Sequence, residues 1–304
     1  MDFLYALEGI RTQPVTDLMS VLTYLGTQYV FMIIAVIMLW CIDKRKAYFI
    51  FAVSLLGTVA NQWLKLVFRI PRPWVLDPDF TIVESAREAA GGYSFPSGHT
   101  QFAVGAFGAI AVATKKRWVC VICIAIILIV PFSRMYLGVH TPLDVGVAFT
   151  CALALVALLW PCFKNEDRFH ASFPFLLGGM LVAAIAFAVW VNTTPFPADI
   201  DAENLAEGLK NAWLLLGCTV GLIISYLFDR KYLHYEVKAP LPGQILKVVL
   251  GLVLMLGIIA RLKPVLAALF GAAAWTSAIR YGLTVIFAGC IWPLTFTRFA
   301  RIGA

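Results

Sequence analysis

The stretch Ser133-Arg134-Met135-Tyr136-Leu137-Gly138-Val139-His140-Thr141-Pro142-Leu143-Asp144 sets a cation, an imidazole and a carboxylate between two long apolar runs. Ionisable groups at such a boundary are costly and mark function. Pro142 suits an early helix position. His140 and Asp144, four residues apart, then share one face. A carboxylate that accepts from one imidazole nitrogen fixes the tautomer and leaves the other nitrogen free to attack. Arg134 offers a planar fork suited to phosphate oxygens. The same residues would also serve as plain helix-end anchors, so the rest of the chain has to decide.

Two upstream stretches do so. Lys65-Leu66-Val67-Phe68-Arg69-Ile70-Pro71-Arg72-Pro73 closes one apolar run, and Pro96-Ser97-Gly98-His99 opens another. In order, the three blocks read K-x6-R-P, P-S-G-H and S-R-x5-H-x3-D. This set resembles the type 2 phosphatidic acid phosphatase superfamily, which also includes glucose-6-phosphatases and vanadium haloperoxidases. The resemblance covers about residues 20–160.

It implies a phosphohistidine mechanism. His140 is the nucleophile and Asp144 orients it. His99 protonates the leaving oxygen, then activates water. A phosphate monoester carries close to two charges, and its transfer needs positioning and neutralisation. Lys65, Arg72 and Arg134 would supply three cations, with no metal and no cofactor. Ser97 and Gly98 begin a helix whose free N–H groups suit an anion, and glycine permits close approach. Ser97 is equally an ordinary N-cap.

Composition bounds the class. Of 304 residues, 61% are hydrophobic and 13% charged, with a mean hydropathy of +0.86. Soluble domains carry about 25% charged residues, and a membrane span takes about 20 apolar ones. The chain is therefore expected to be all-α, a polytopic transmembrane helical bundle of about nine spans, five of them forming the catalytic core. The net charge of +7 resides in short loops beside apolar runs, as in cytoplasmic loops, so nucleic acid is not an expected partner. Membrane lipids and a lipid phosphate are. The seven cysteines lie in or beside apolar runs. Cys120 and Cys123 lack the further ligands of a metal site and read as small packing residues.

Residues 1–20 are expected to form an interfacial amphipathic helix that Pro14 ends. Residues 21–165 hold the phosphatase core and 166–304 the additional C-terminal spans. The spans fall near 18–40, 47–68, 97–114, 118–132, 142–160, 173–191, 211–228, 245–259 and 281–296, with 265–274 as a short re-entrant or interfacial helix. Pro71 and Pro73 put Arg72 on extended backbone. The polar stretch 74–95 is a lid, a substrate rim or a plain loop. Alternating the loops places Lys44, Arg45, Lys46, Lys115, Lys116 and Arg117 on one side, which the positive-inside rule makes cytoplasmic. All three blocks end on the other side, so the site is expected to be extracytoplasmic or lumenal in a plasma or inner membrane, with a cytoplasmic C-terminus.

A site beside apolar helices favours a lipid phosphate or pyrophosphate: phosphatidate, phosphatidylglycerol phosphate, an isoprenyl pyrophosphate or a sphingoid phosphate. The additional spans after the third block resemble glucose-6-phosphatases as well, so a soluble sugar phosphate is the second reading. A non-catalytic transport or binding protein is the third, although few intramembrane charges mark an ion path.

Overall fold

The computed structural model describes residues 1–302, and every regular element among them is helical. Two compact units are present. The first comprises Met1–Met32, Phe49–Asn165 and Phe196–Gly208; the second comprises Ile33–Tyr48, Glu166–Pro195 and Leu209–Ala304.

The chain opens with α1 (Asp2–Gly9) and α2 (Gln13–Leu22). Pro14 does not terminate a helix but starts α2, because its missing N–H costs nothing in the first turn and its φ is already helical. A 3₁₀ turn, Thr23–Gly26, leads into α3 (Gln28–Ile37), and the two halves of this first apolar segment are bent by 52°. Helix α4 (Lys44–Phe68) stops at Arg69, a non-glycine residue at φ 51°. Arg72, at φ −71° and ψ 155°, is extended as expected and precedes the short α5 (Pro73–Leu76).

Helix α6 (Gly98–Ala113) packs against both α7 (Arg117–Tyr136) and α8 (Pro142–Phe163). Its small residues Ala103, Ala106 and Ala109 are fully or almost fully buried, which lets the neighbouring helices close in. Helix α7 does not stop at Phe132 but carries Ser133 and Arg134 in its last turn. No breaker intervenes before Gly138, which takes φ 78°. A Cβ there would lie 2.8 Å from Nη2 of Arg11 and 3.0 Å from the Phe80 ring, so glycine is required for both backbone and space.

The second unit contains α9 (Glu166–Thr193), α10 (Ala202–Phe228, from Leu209 onward), α11 (Leu241–Phe270), α12 (Thr276–Ile286) and α13 (Phe296–Phe299). Helix α11 runs unbroken through Pro264 to Phe270, so 265–274 is not a separate element; the break falls at Gly271, at φ 70°. Buried Lys247 is satisfied by the carbonyls of Trp40 (2.7 Å) and Val237 (3.1 Å), an internal solution to a cation in an apolar helix.

Among the described residues, seven helices are long and apolar enough to cross a membrane, or eight with the bent pair. Each of the nine expected spans has a helical counterpart. Helix α6, at 16 residues, is shorter than the hydrocarbon thickness requires.

Candidate active site

The site lies in the first unit, and its centre is the His140 ring, 1% exposed. Three local structures deliver it. The last turn of α7 ends at Tyr136, and Gly138 turns the chain. Thr141 then caps α8: its hydroxyl accepts from the Asp144 N–H (3.2 Å) while Oδ2 of Asp144 accepts from the Thr141 N–H (2.7 Å). This capping box holds Asp144 so that Oδ2 lies 3.4 Å from Nδ1 of His140.

Nη1 of Arg72 stands 3.0 Å from Nε2 and 3.5 Å from Nδ1 of the same ring. The Arg72 fork is fixed by three carbonyls, those of Gly92 (3.0 Å), Gly91 (2.8 Å) and Val139 (3.0 Å). Lys65 is buried and donates to the Tyr93 carbonyl. Arg134 is fully buried; Nη1 donates to the Thr23 hydroxyl at 3.1 Å, while Nε and Nη2 have no protein partner. His99 sits in the first turn of α6, within electrostatic reach of Arg134, His140, Arg72 and Lys65, and its Nε2 is likewise unpartnered.

Ser97 is committed more fully than its sequence suggests. Its N–H donates to the Asp144 carbonyl (3.0 Å), and its hydroxyl accepts from the N–H and hydroxyl of Thr100 (3.4 and 3.0 Å). That leaves the N–H groups of Gly98 and His99 as helix-start donors without intrahelical partners. A Cβ on Gly98 would meet nothing within 4 Å, so the turn has open space beside it. Burial first, then the charges of Arg72, Arg134 and Lys65, hold the His140 imidazole well below its ordinary pKa.

Other residues belong to the cluster without a motif to announce them. Ser94 donates to Oδ2 of Asp144 at 2.6 Å. Thr23 orients Arg134. Arg11 donates to the carbonyls of Tyr136 (2.9 Å) and Thr81 (2.7 Å), bracing the loop before His140. Of these, only Ser94 left a signal, its place two residues before Pro96. A cleft of about 900 Å³ reaches Arg72; residues 74–92 supply one part of its wall and Asp199, Asp201, Glu203 and Glu207 another.

Comparison with known proteins places this arrangement. The family model for the PAP2 superfamily matches residues 29–168, and that for the PAP2 superfamily phosphatase transmembrane extension matches residues 213–303. The chain belongs to the PAP2 superfamily. The PAP2 match contains every residue of the cluster except Arg11 and Thr23. Sphingosine-1-phosphate phosphatase 1 of Rattus norvegicus is 24% identical over 87% of this chain and 64% of its own length. Phosphatidylglycerophosphatase B of Escherichia coli (strain K12) is 29% identical over 40% of this chain and 63% of its own. Undecaprenyl-diphosphatase of Sulfolobus acidocaldarius is 29% identical over 42% and 61%. The matches thus span somewhat under two thirds of these PAP2 relatives. No solved structure matches the chain.

Proposed function

We propose that the protein is an integral-membrane phosphatase that hydrolyses a lipid phosphate or pyrophosphate through a phosphohistidine on His140, without a metal. One observation carries this reading. Beside the buried His140 stand buried donors of Arg134, Nε and Nη2, that have no protein acceptor. Arginine donates in a fork matched to phosphate oxygens, and an unpaired buried donor is costly unless a ligand satisfies it.

In the first step Nε2 of His140 attacks phosphorus and the bond to the leaving oxygen breaks. His99 gives that oxygen a proton. Asp144 stabilises the imidazolium, while Arg72, Arg134, Lys65 and the N–H groups of Gly98 and His99 take the charge on the non-bridging oxygens. In the second step water loses a proton to His99 and attacks phosphorus, and the bond to Nε2 breaks. Inorganic phosphate leaves, and both imidazoles return to their starting state.

An amphiphilic substrate fits the setting. The cleft that reaches Arg72 is also lined by Phe68, Trp74 and Val75, and the relatives are named for phosphatases of lipid phosphates. Residues 21–165 carry the chemistry in this reading, and 166–304 add spans to it. In this reading the site is extracytoplasmic or lumenal and the C-terminus cytoplasmic, which the basic loops support. The test is phosphate release by purified protein in EDTA, with micellar lipid phosphates and glucose 6-phosphate in parallel. Release from the lipids alone is expected. Release from glucose 6-phosphate alone would move the protein to the sugar-phosphate reading, and no release from either would favour a binding role.

A further inference from the structure

The hydroxyl of Ser94 stands where it touches both halves of the Asp144–His140 pair. Ser94 is fully buried. Its Oγ donates to Oδ2 of Asp144 at 2.6 Å and lies 3.5 Å from Nδ1 of His140, as near as the carboxylate itself at 3.4 Å. The residue is fixed from behind, its N–H donating to the Ile70 carbonyl at 2.9 Å. A buried serine ordinarily bonds to nearby backbone. This one reaches from a loop to a carboxylate in α8, and to the same oxygen that faces the imidazole. Oδ2 thereby gathers Ser94, Thr141 and Nδ1, while Oδ1 has no protein partner.

We propose that Ser94 is a positioning residue: acting through Asp144, it holds the carboxylate against Nδ1 of His140 and moderates its pull on the ring. The proposal rests on the assignment of His140 as nucleophile. A hydroxyl donor on Oδ2 disperses the carboxylate charge, so Asp144 stabilises an imidazolium less strongly than it would alone. That keeps His140 neutral to lower pH and leaves the phosphoimidazolium easier to hydrolyse. The charged and titratable groups around the ring are Asp144, Arg72, Lys65, Arg134 and His99, and Ser94 is the neutral group that links one of them to Nδ1.

The experiment compares kcat, KM and the pH profile of kcat/KM on one micellar lipid phosphate, so that the substrate's own titration is common to all arms. Ser94→Ala is expected to lower kcat about 10- to 100-fold with KM little changed. It should also move the acid limb to higher pH, because Oδ2 then favours the imidazolium more strongly. Ser94→Cys, close in shape but a weak donor, should shift the limb in the same direction and serves if the alanine variant does not fold. In an Asp144→Asn background, Ser94→Ala should cost little more. An acid limb that stays in place in the folded variants, or an equal cost in both backgrounds, overturns the proposal. His140→Ala run alongside separates the two ideas. If it stays active, the nucleophile assignment fails; if it is dead and the Ser94 variants leave the limb unmoved, this proposal alone fails.

Discussion

Nη1 of Arg72 stands 3.0 Å from Nε2 of His140. The same Nη1 lies 3.5 Å from Nδ1, too near both nitrogens to lie on the lone pair of either, so the guanidinium packs across the imidazole. Nδ1 is the nitrogen that also faces Asp144 at 3.4 Å and Ser94 at 3.5 Å. In the phosphohistidine reading, a bound anion would take up the Arg72 fork beside the imidazole.

Arg72 therefore cannot be replaced by a point charge. Its fork spans Gly91, Gly92, Val139 and His140 at once. Arg72→Ala is expected to lower kcat/KM by about 100- to 1000-fold, the scale of losing a preorganised charge donor. Arg72→Lys should recover only a small part, since a lysine cannot hold those acceptors together. Phosphate release in detergent micelles measures both, and a lysine variant of near-normal activity would contradict the account.

The covalent intermediate is testable by its chemistry. His140→Ala should abolish turnover. His99→Ala should retain some transfer from a substrate with a good leaving group, and it should accumulate label from a ³²P-substrate because water is no longer activated. The label should be acid-labile and base-stable, and absent from a His140→Ala/His99→Ala double variant. Label that persists in the double variant would place the intermediate elsewhere.

The pH profile follows from the surroundings of His140. Burial and the charges of Arg72, Arg134 and Lys65 disfavour its protonation, and in the phosphohistidine reading only the neutral ring attacks. The acid limb of kcat/KM, after division by the titration of the substrate phosphate, should lie below about pH 6.5, the ordinary imidazole value. The same depression links to stability. The unfolded chain binds the proton more readily, so this contribution is present above the unfolded pKa and is lost as the pH falls below it. A limb above pH 6.5 would show that bound anion or solvent outweighs the cations.

Gly138 offers a prediction about architecture. Its φ of 78° and the atoms at 2.8 and 3.0 Å from a built Cβ leave no room for a side chain. Gly138→Ala should destabilise the protein by about 1–3 kcal/mol, read as a lower unfolding midpoint in detergent. Activity should fall with it, because Arg11 and Phe80 brace the turn that leads to His140. An unchanged midpoint would mean that the turn relaxes freely.

The sequence announced those parts of the fold and cluster that local chemistry determines. Thr141-Pro142 and Pro96-Ser97-Gly98 are helix starts by residue type alone, and each is one in the structure. Lys65, Arg72, His99, Arg134, His140 and Asp144 form part of ordered motifs, and the fold brings them to one place. What escaped depends on tertiary placement. Thr23 meets Arg134 across 111 positions and Arg11 meets Tyr136 across 125, distances at which no spacing rule operates. Proline is ambiguous for another reason, as Pro14 and Pro264 show. The same residue ends a helix, starts one or sits within it, according to which carbonyls its neighbours can satisfy.

The Thr141–Asp144 box has a wider consequence. One carboxylate both begins α8 and faces the imidazole, so folding and reactivity at that corner draw on the same atom. Evolution has little freedom to tune one without disturbing the other. Only an exchange that preserves the acceptor while dropping the charge, Asp144→Asn, can separate the two duties.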